Sequence, residues 1–334
     1  MLIAERVQPP KSLEALYPSN DSNFENIALR LFQVQATENS VYASYLRHLG
    51  VQSTKITSIE QIPFLPIGFF KTHQVQTGEW QPETVFTSSG TTGTATSSHL
   101  VRSTDFYLRH AQQLFEQQYG PLNQYNLLAL LPSYLERQGS SLIAMIDWFI
   151  QQSGSPNSGF YLYNQTDLLA KVAALQHDKR KTLIWGVSFA LLDLAEKQAV
   201  DWSHCLVMET GGMKGRRKEW VREDLHSFLC QKFNVMAIHS EYGMTELLSQ
   251  AYSDGGGVFR APASLRIQIR DLNDPFSPVA DGKTGLISVI DLSNAHSCAF
   301  IQTQDLGRAM QKGHFEVLGR VDNSDVRGCN LLVE

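Results

Sequence analysis

Thr87-Ser88-Ser89-Gly90-Thr91-Thr92-Gly93 is a run of hydroxyls broken by two glycines, with Val85 and Phe86 leading in. Glycines let a backbone turn tightly and approach a ligand closely. Ser and Thr hydroxyls can hydrogen-bond phosphate oxygens, and successive backbone N–H groups form an anion-binding nest. The stretch therefore reads as a phosphate-cradling loop. It is not a Walker loop, because no Gly-Lys-Ser/Thr follows its second glycine. It is not a dinucleotide fingerprint either, since its glycines are three apart and the space between them is filled by hydroxyls. Taken alone, such a run is equally compatible with a flexible surface loop.

Downstream of the loop, strand-like and helix-like segments alternate. Helices are expected over 105–118, 140–151, 166–177, 188–198 and 214–232, the last with Val221, Leu225, Phe228 and Leu229 inward; strands are expected over 126–131, 159–163, 182–185, 205–209 and 235–239. That order implies an α/β fold with a mostly parallel sheet and flanking helices. Ligands bind at the carboxyl ends of the strands in such sheets. Two loops fall there: Thr210-Gly211-Gly212 and Glu241-Tyr242-Gly243-Met244-Thr245-Glu246.

Upstream, Phe24, Ile27, Leu31 and Val34 keep helical spacing, as do Val41, Tyr45, Leu46 and Leu49 before Gly50. The segment Ile62-Pro63-Phe64-Leu65-Pro66-Ile67-Gly68-Phe69-Phe70-Lys71 carries two prolines and reads as extended, wrapping a core or walling an acyl pocket. From Gly255 onward the texture turns β-rich, with strands over 264–270, 285–291 and 299–303 and turns at Asp274-Pro275 and Ala280-Asp281-Gly282. The expected organisation is a helical front segment (1–80), an α/β nucleotide-binding part (81–250) and a β-rich part (251–334).

Composition narrows the function classes. The 334 residues are 43% hydrophobic and 18% charged, as in a globular chain able to bury a sizeable core. A net charge of −5 without a long basic run argues against nucleic-acid binding. The four cysteines (Cys205, Cys230, Cys298, Cys329) are far apart with no CxxC pair, so neither a disulfide framework nor structural zinc is expected. No secretory signal precedes Pro10, and no apolar run approaches the roughly 20 residues a membrane span needs. A cytoplasmic, soluble protein is the expectation.

Four pieces stand in order: Thr87 to Gly93, Tyr242 to Glu246, Asp305-Leu306-Gly307-Arg308, and Gly319-Arg320-Val321-Asp322. Each alone is weak; the third reads as a hairpin and the fourth as a solvated loop. Together, with an α/β half before a β-rich half, the chain resembles the adenylate-forming superfamily of acyl-CoA synthetases, adenylation domains and firefly-type luciferases. Within it the chain is most similar to the acyl-protein synthetase of bacterial luminescence and its phenylacetate-CoA ligase relatives. The segments 62–71, Leu131-Pro132-Ser133 with Ser140-Ser141-Leu142, and Glu209-Thr210-Gly211-Gly212-Met213-Lys214-Gly215 carry that closer likeness.

The resemblance implies roles. Ser88, Ser89, Gly90, Thr91, Thr92 and Gly93 would hold the β- and γ-phosphates of ATP. Tyr242 would stack on adenine, with Gly211, Gly212 and Gly243 lining the nucleotide site. Thr245 would bond the α-phosphate, Glu246 would hold Mg²⁺, Asp305 would accept from the ribose hydroxyls, and Arg320 would lie near ribose and phosphate. Asp322 sits where the family places its hinge. The implied reaction activates a carboxylic acid, expected to be a fatty acid, as an acyl-adenylate and passes the acyl group to a thiol of a protein, a carrier or CoA. An acyl- or aryl-CoA ligase and a non-catalytic adenylate-binding module remain alternatives.

Two departures accompany the likeness. No lysine follows the second glycine of the loop; His99 and Arg102 are nearby candidates to replace its charge. The family's C-terminal lid domain is not expected after Glu334, which makes a partner protein one source for it. Cys329, beyond Arg327-Gly328, reads as a buried small hydrophobe rather than an acyl acceptor. Cys205 and Cys298 read as core strand residues, and His239 as a satisfied strand-end histidine.

Overall fold

The computed structural model describes residues 21–88, 96–131, 139–211 and 220–321. The chain enters through helices α1 (Asp21–Glu38) and α2 (Ser40–His48), strand β1 (Leu65–Pro66) and a single helical turn α3 (Phe69–Thr72). Hairpin strands β2 (Thr84–Thr87) and β3 (Ser98–Val101) follow, then helix α4 (Thr104–Tyr119). The alternating part comprises β4 (Tyr125–Leu130), α5 (Ser141–Ser153), β5 (Gly159–Phe160), α6 (Gln165–Ala174), β6 (Lys181–Val187), α7 (Ser188–Lys197), β7 (Cys205–Thr210), α8 (Arg222–Phe233) and β8 (Ile238–Tyr242). Six strands complete the fold: β9 (Ala251–Ser253), β10 (Val258–Arg260), β11 (Leu265–Arg270), β12 (Thr284–Asp291), β13 (Phe300–Ala309) and β14 (His314–Arg320).

One 12-stranded sheet runs β11-β12-β13-β14-β10-β9-β8-β7-β6-β4-β5, with β1 added alongside the first half of β13. Strands β5, β4, β6, β7 and β8 pair in parallel, as the alternation predicts. From β9 to β11 the pairing is antiparallel. Every residue of β4 is buried, because helices cover both faces of the parallel part. Trp185 at its centre packs against Phe115, Phe149 and Tyr252.

A second core joins distant sequence. Phe24, Phe32 and Tyr42 of the front helices pack with Ile287, Val289, Phe300 and Ile301 of the β-rich part. Segment 62–71 is mostly wall of this core: Ile62, Phe64, Leu65, Ile67 and Phe70 are buried, and the amide of Ile67 donates to the Gln302 carbonyl at 2.9 Å. Pro63 and Pro66 do exclude a long helix, but one turn forms directly after them.

Four expectations are corrected. The helix expected over 214–232 begins, within the described residues, at Arg222; Val221 is its extended N-cap and is exposed rather than inward. Glu223 and Asp224 occupy its first turn, where carboxylates complement the helix dipole. The strand expected over 235–239 starts at Ile238, because Asn234 closes α8 in the left-handed conformation and Val235 donates back to the Cys230 carbonyl at 3.2 Å. The shift makes Tyr242 the last strand residue. Asp305–Arg308 is not the turn of a hairpin but lies inside β13, one arm of the antiparallel β13–β14 pair, where a register shift between Leu306 and Gly307 sets its pairing with β14. Cys298 is buried but precedes β13 instead of sitting within it.

Candidate active site

The hydroxyl run starts on the β2–β3 hairpin, with Thr87 the last residue of β2. Thr87 pairs with Ser98, and one step further out the Ser88 amide donates to the Ser97 carbonyl at 3.1 Å while the Ser97 amide donates to Ser88 Oγ at 2.9 Å. Ser88 thus stands where the described part of the hairpin ends, its Oγ accepting from the Ser97 amide. Ser89, Gly90, Thr91, Thr92 and Gly93 lie outside the described residues, as do Gly212, Asp322 and Cys329.

The carboxyl ends of β7 and β8 deliver the rest. Tyr242 is buried, edge-on to Phe259 and Phe315, and its hydroxyl donates to Asp305 Oδ2 at 2.9 Å. Burial and the neighbouring Asp305 charge hold that phenol well above its usual pKa. Asp305 on β13 pairs in register with Arg320 on β14, whose Nε stands 3.9 Å from Oδ1. Burial raises the Asp305 carboxyl, partly offset by Arg320, the Tyr242 hydroxyl and Arg222. Sequence pieces more than sixty residues apart therefore meet: Tyr242, Asp305 and Arg320 form one contact set.

Gly243 follows Tyr242, and a Cβ there would run into the Glu241 carboxylate. Beyond it the chain makes an irregular turn, closed by the Leu247 amide on the Met244 carbonyl at 3.1 Å. This turn carries Thr245 and Glu246. Glu246 is 5% exposed, and burial raises its carboxyl; a hydrogen bond from Ser97 and the charge of Arg320 offset part of that cost, while Asp305 adds to it. Buried side chains also hold the turn. Asn294 Nδ2 donates to the Glu246 carbonyl at 2.8 Å, and Asp291 accepts from the amides of Leu248 and Ser249, each at 2.9 Å. Behind Asp291, His110 Nε2 meets the hydroxyls of Ser249 and Ser293 at 2.9 and 2.8 Å.

On the opposite flank, Gly211 adopts φ +67°, which favours glycine, and its carbonyl accepts from the Ser188 hydroxyl. Ser188 also donates to Glu209 at 2.7 Å. Burial pushes Glu209 up, but the Arg222 guanidinium and His226 outweigh it and leave the carboxyl at about 2. Arg222 in turn lies over the Phe259 ring at 5.2 Å, directly behind Tyr242. Sequence reasoning missed Ser188, Arg222, Asp291 and Asn294 as parts of this arrangement. Each is a single polar residue in an ordinary segment, and only the three-dimensional pairing distinguishes it.

His99 does not replace the missing loop cation. Burial lowers its pKa to about 4, so the ring is neutral near pH 7. Arg102 points instead to His296 Nδ1, at 3.3 Å. Among the described residues no group of three or more His, Cys, Asp or Glu could hold a metal. A single buried carboxylate still fits Mg²⁺, which binds through one or two carboxylates together with substrate phosphates and waters. Glu246, whose ionised form burial destabilises and Arg320 partly relieves, suits that donor set. Two surface concavities, of about 280 and about 460 Å³, lie away from these residues, the larger beside Tyr45 and Phe69.

The family described as "Acyl-protein synthetase, LuxE" matches residues 198–334. The long-chain-fatty-acid–luciferin-component ligase of Aliivibrio fischeri is 21% identical, covering 92% of this chain and 86% of that protein. The Vibrio harveyi protein of the same name is 22% identical over 90% of this chain and 84% of its own length. Among solved structures, 2-hydroxyisobutyryl-CoA ligase in complex with 2-HIB-AMP superposes with a TM-score of 0.66 at 12% identity, covering 96% of this chain and 74% of that one. ATP-bound MatB from Rhodopseudomonas palustris gives a TM-score of 0.54 at 16% identity over 72% of this chain, which spans about half of MatB, 49%. The fold is that of adenylate-forming ligases.

Proposed function

We propose that this chain is an AMP-forming ligase that activates a long-chain fatty acid with ATP and passes the acyl group to a thiol. The observation that carries the reading is the meeting of Tyr242, Asp305 and Arg320 beside the buried Glu246 at the mouth of the hydroxyl hairpin. The two luciferin-component ligases, similar over nine-tenths of the chain, supply the acid class, and the description of the matching family as an acyl-protein synthetase favours a protein over CoA as acceptor.

The residues divide the work by chemistry. Tyr242 offers an aromatic face for a purine, and Asp305 offers carboxylate oxygens to a ribose diol once the Tyr242 hydroxyl shares them. Gly211 and Gly212 let backbone approach the base. Ser88 through Gly93 supply hydroxyls and amides for the β- and γ-phosphates. Thr245 bonds the α-phosphate, and Glu246 holds Mg²⁺, whose charge offsets that of the phosphates. Arg320, 64% exposed in its side chain, is free to turn from Asp305 toward phosphate. The fatty-acid carboxylate attacks the α-phosphorus, pyrophosphate leaves, and a thiolate then displaces AMP from the acyl carbon. The described cysteines are unsuited to that last role. Burial pushes Cys205 and Cys298 up to about 12 and raises Cys230 as well, which suppresses the thiolate.

Fatty-acid-dependent exchange of pyrophosphate into ATP tests the reading. The native chain is expected to exchange with a long-chain acid and Glu246→Gln to lose most of that rate. Equal rates would remove Glu246 from the metal role, and no exchange with any acid would refute the activity.

A further inference from the structure

The strand that closes the hydroxyl loop also grips the turn bearing Thr245 and Glu246. Ser97 and His99, two residues apart at the start of β3, are 2% and 1% exposed. The Ser97 hydroxyl lies against the Glu246 carboxyl and favours its ionised form. His99 Nδ1 lies 2.8 Å from the Thr245 carbonyl oxygen. A carbonyl only accepts, so Nδ1 carries the ring hydrogen, and Nε2 is left as a buried acceptor without a partner. The edge-on ring of Phe70, 5.8 Å away between centroids, backs the imidazole.

These bonds matter because of the topology. Strands β2 and β3 form a separate two-stranded sheet with no ladder to the main sheet, whereas Thr245 and Glu246 follow β8 of the main sheet. Backbone pairing therefore does not fix the distance between the hydroxyl loop and the Glu246 carboxylate. The side chains of Ser97 and His99 bridge the two directly, while Asn294 and Asp291 hold the same turn from the side of β12.

We propose that Ser97 and His99 are positioning residues for the activation reaction: they hold the Thr245–Glu246 turn against the β2–β3 hairpin, so that the metal-holding carboxylate keeps one spacing from Thr87 and Ser88. The inference rests on the assignment of Glu246 to Mg²⁺. Neither residue needs to touch ATP. Displacement of a reacting or binding group by about 1 Å commonly costs about 100-fold, which is the scale of effect that such contacts can control.

The test exploits which ring nitrogen works. His99→Asn places an amide nitrogen where Nδ1 stands and restores the bond to Thr245; His99→Gln places it where Nε2 stands and does not. ATP is titrated calorimetrically into the full chain with Mg²⁺ and, separately, with EDTA, and thermal midpoints are recorded. The native chain is expected to bind ATP more tightly with Mg²⁺, and Glu246→Gln to lose that gain. Ser97→Ala and His99→Gln are expected to lose about tenfold of the Mg²⁺-dependent gain, and His99→Asn to keep it. If Glu246→Gln retains the gain, the metal assignment fails. If Glu246→Gln loses it while Ser97→Ala and His99→Gln retain it, or if the Asn and Gln variants behave alike, the positioning role fails and the metal assignment stands. Should His99→Gln not fold, Ser97→Ala decides.

Discussion

His110 gives the chain a measurable sensitivity to mild acid. It sits on α4 with no exposed surface, its Nε2 shared by the Ser249 and Ser293 hydroxyls, and burial lowers its pKa from 6.5 to about 3. The folded chain refuses a proton that the unfolded chain accepts. Stability from this residue is therefore complete above pH 6.5 and is lost progressively as pH falls toward about 3. Between about pH 7.5 and about pH 5 the loss amounts to about 2 kcal/mol, a substantial share of a typical folding free energy. His99, lowered to about 4, adds a similar loss in that window. The raised carboxyls of Glu246, Asp291 and Asp305 act in the opposite sense, since they favour the protonated folded form. Comparing one variant with the native chain cancels them. His110→Gln keeps an amide near the two serines and cannot become an imidazolium. Urea denaturation at the two pH values should show the variant losing about 2 kcal/mol less than the native chain on acidification. The same pH dependence in both would refute the buried, neutral histidine.

Three further outcomes follow from the site. Arg222→Leu leaves Glu209 buried without its guanidinium and should cost about 3–5 kcal/mol in thermal or urea unfolding, with partial recovery on adding Glu209→Gln; a loss under about 1 kcal/mol would mean the pair is solvated. Tyr242→Ala should weaken ATP binding by about 10- to 100-fold through lost stacking, whereas Tyr242→Phe, which removes only the bond to Asp305, should weaken it a few-fold; equal losses would argue against a stacking role. Cys205→Ala and Cys298→Ala should leave acyl transfer to an added thiol acceptor intact, and abolished transfer in either would place the acceptor within the described core.

Much of the fold was legible because the parallel strands announce themselves: β4 and β6 are continuous apolar runs bounded by helical patterns. The short strands β2, β3, β9 and β10 were not legible, since three or four residues carry no periodicity. The late start of β8 has one cause, a turn set by Asn234 in a left-handed conformation, after which the aliphatic Val235 reads as strand. In the site, the residues that carry distinctive chemistry in short motifs, Tyr242, Glu246, Asp305 and Arg320, could be picked out and do converge. The residues that hold them could not. Ser97 looks like one more hydroxyl of the loop, His99 looked like a candidate cation until burial made it neutral, and Asp291 and Asn294 lie at the end of an unremarkable strand.

The central claim is that a carboxylate attacks the α-phosphorus of ATP. Supplying a long-chain fatty acid labelled with ¹⁸O in its carboxyl group, together with Mg-ATP and a thiol acceptor, and reading the released nucleotide by mass spectrometry tests it directly. The account predicts AMP carrying one labelled oxygen. Unlabelled nucleotide, with the label in inorganic phosphate or retained entirely in the acid, would contradict it.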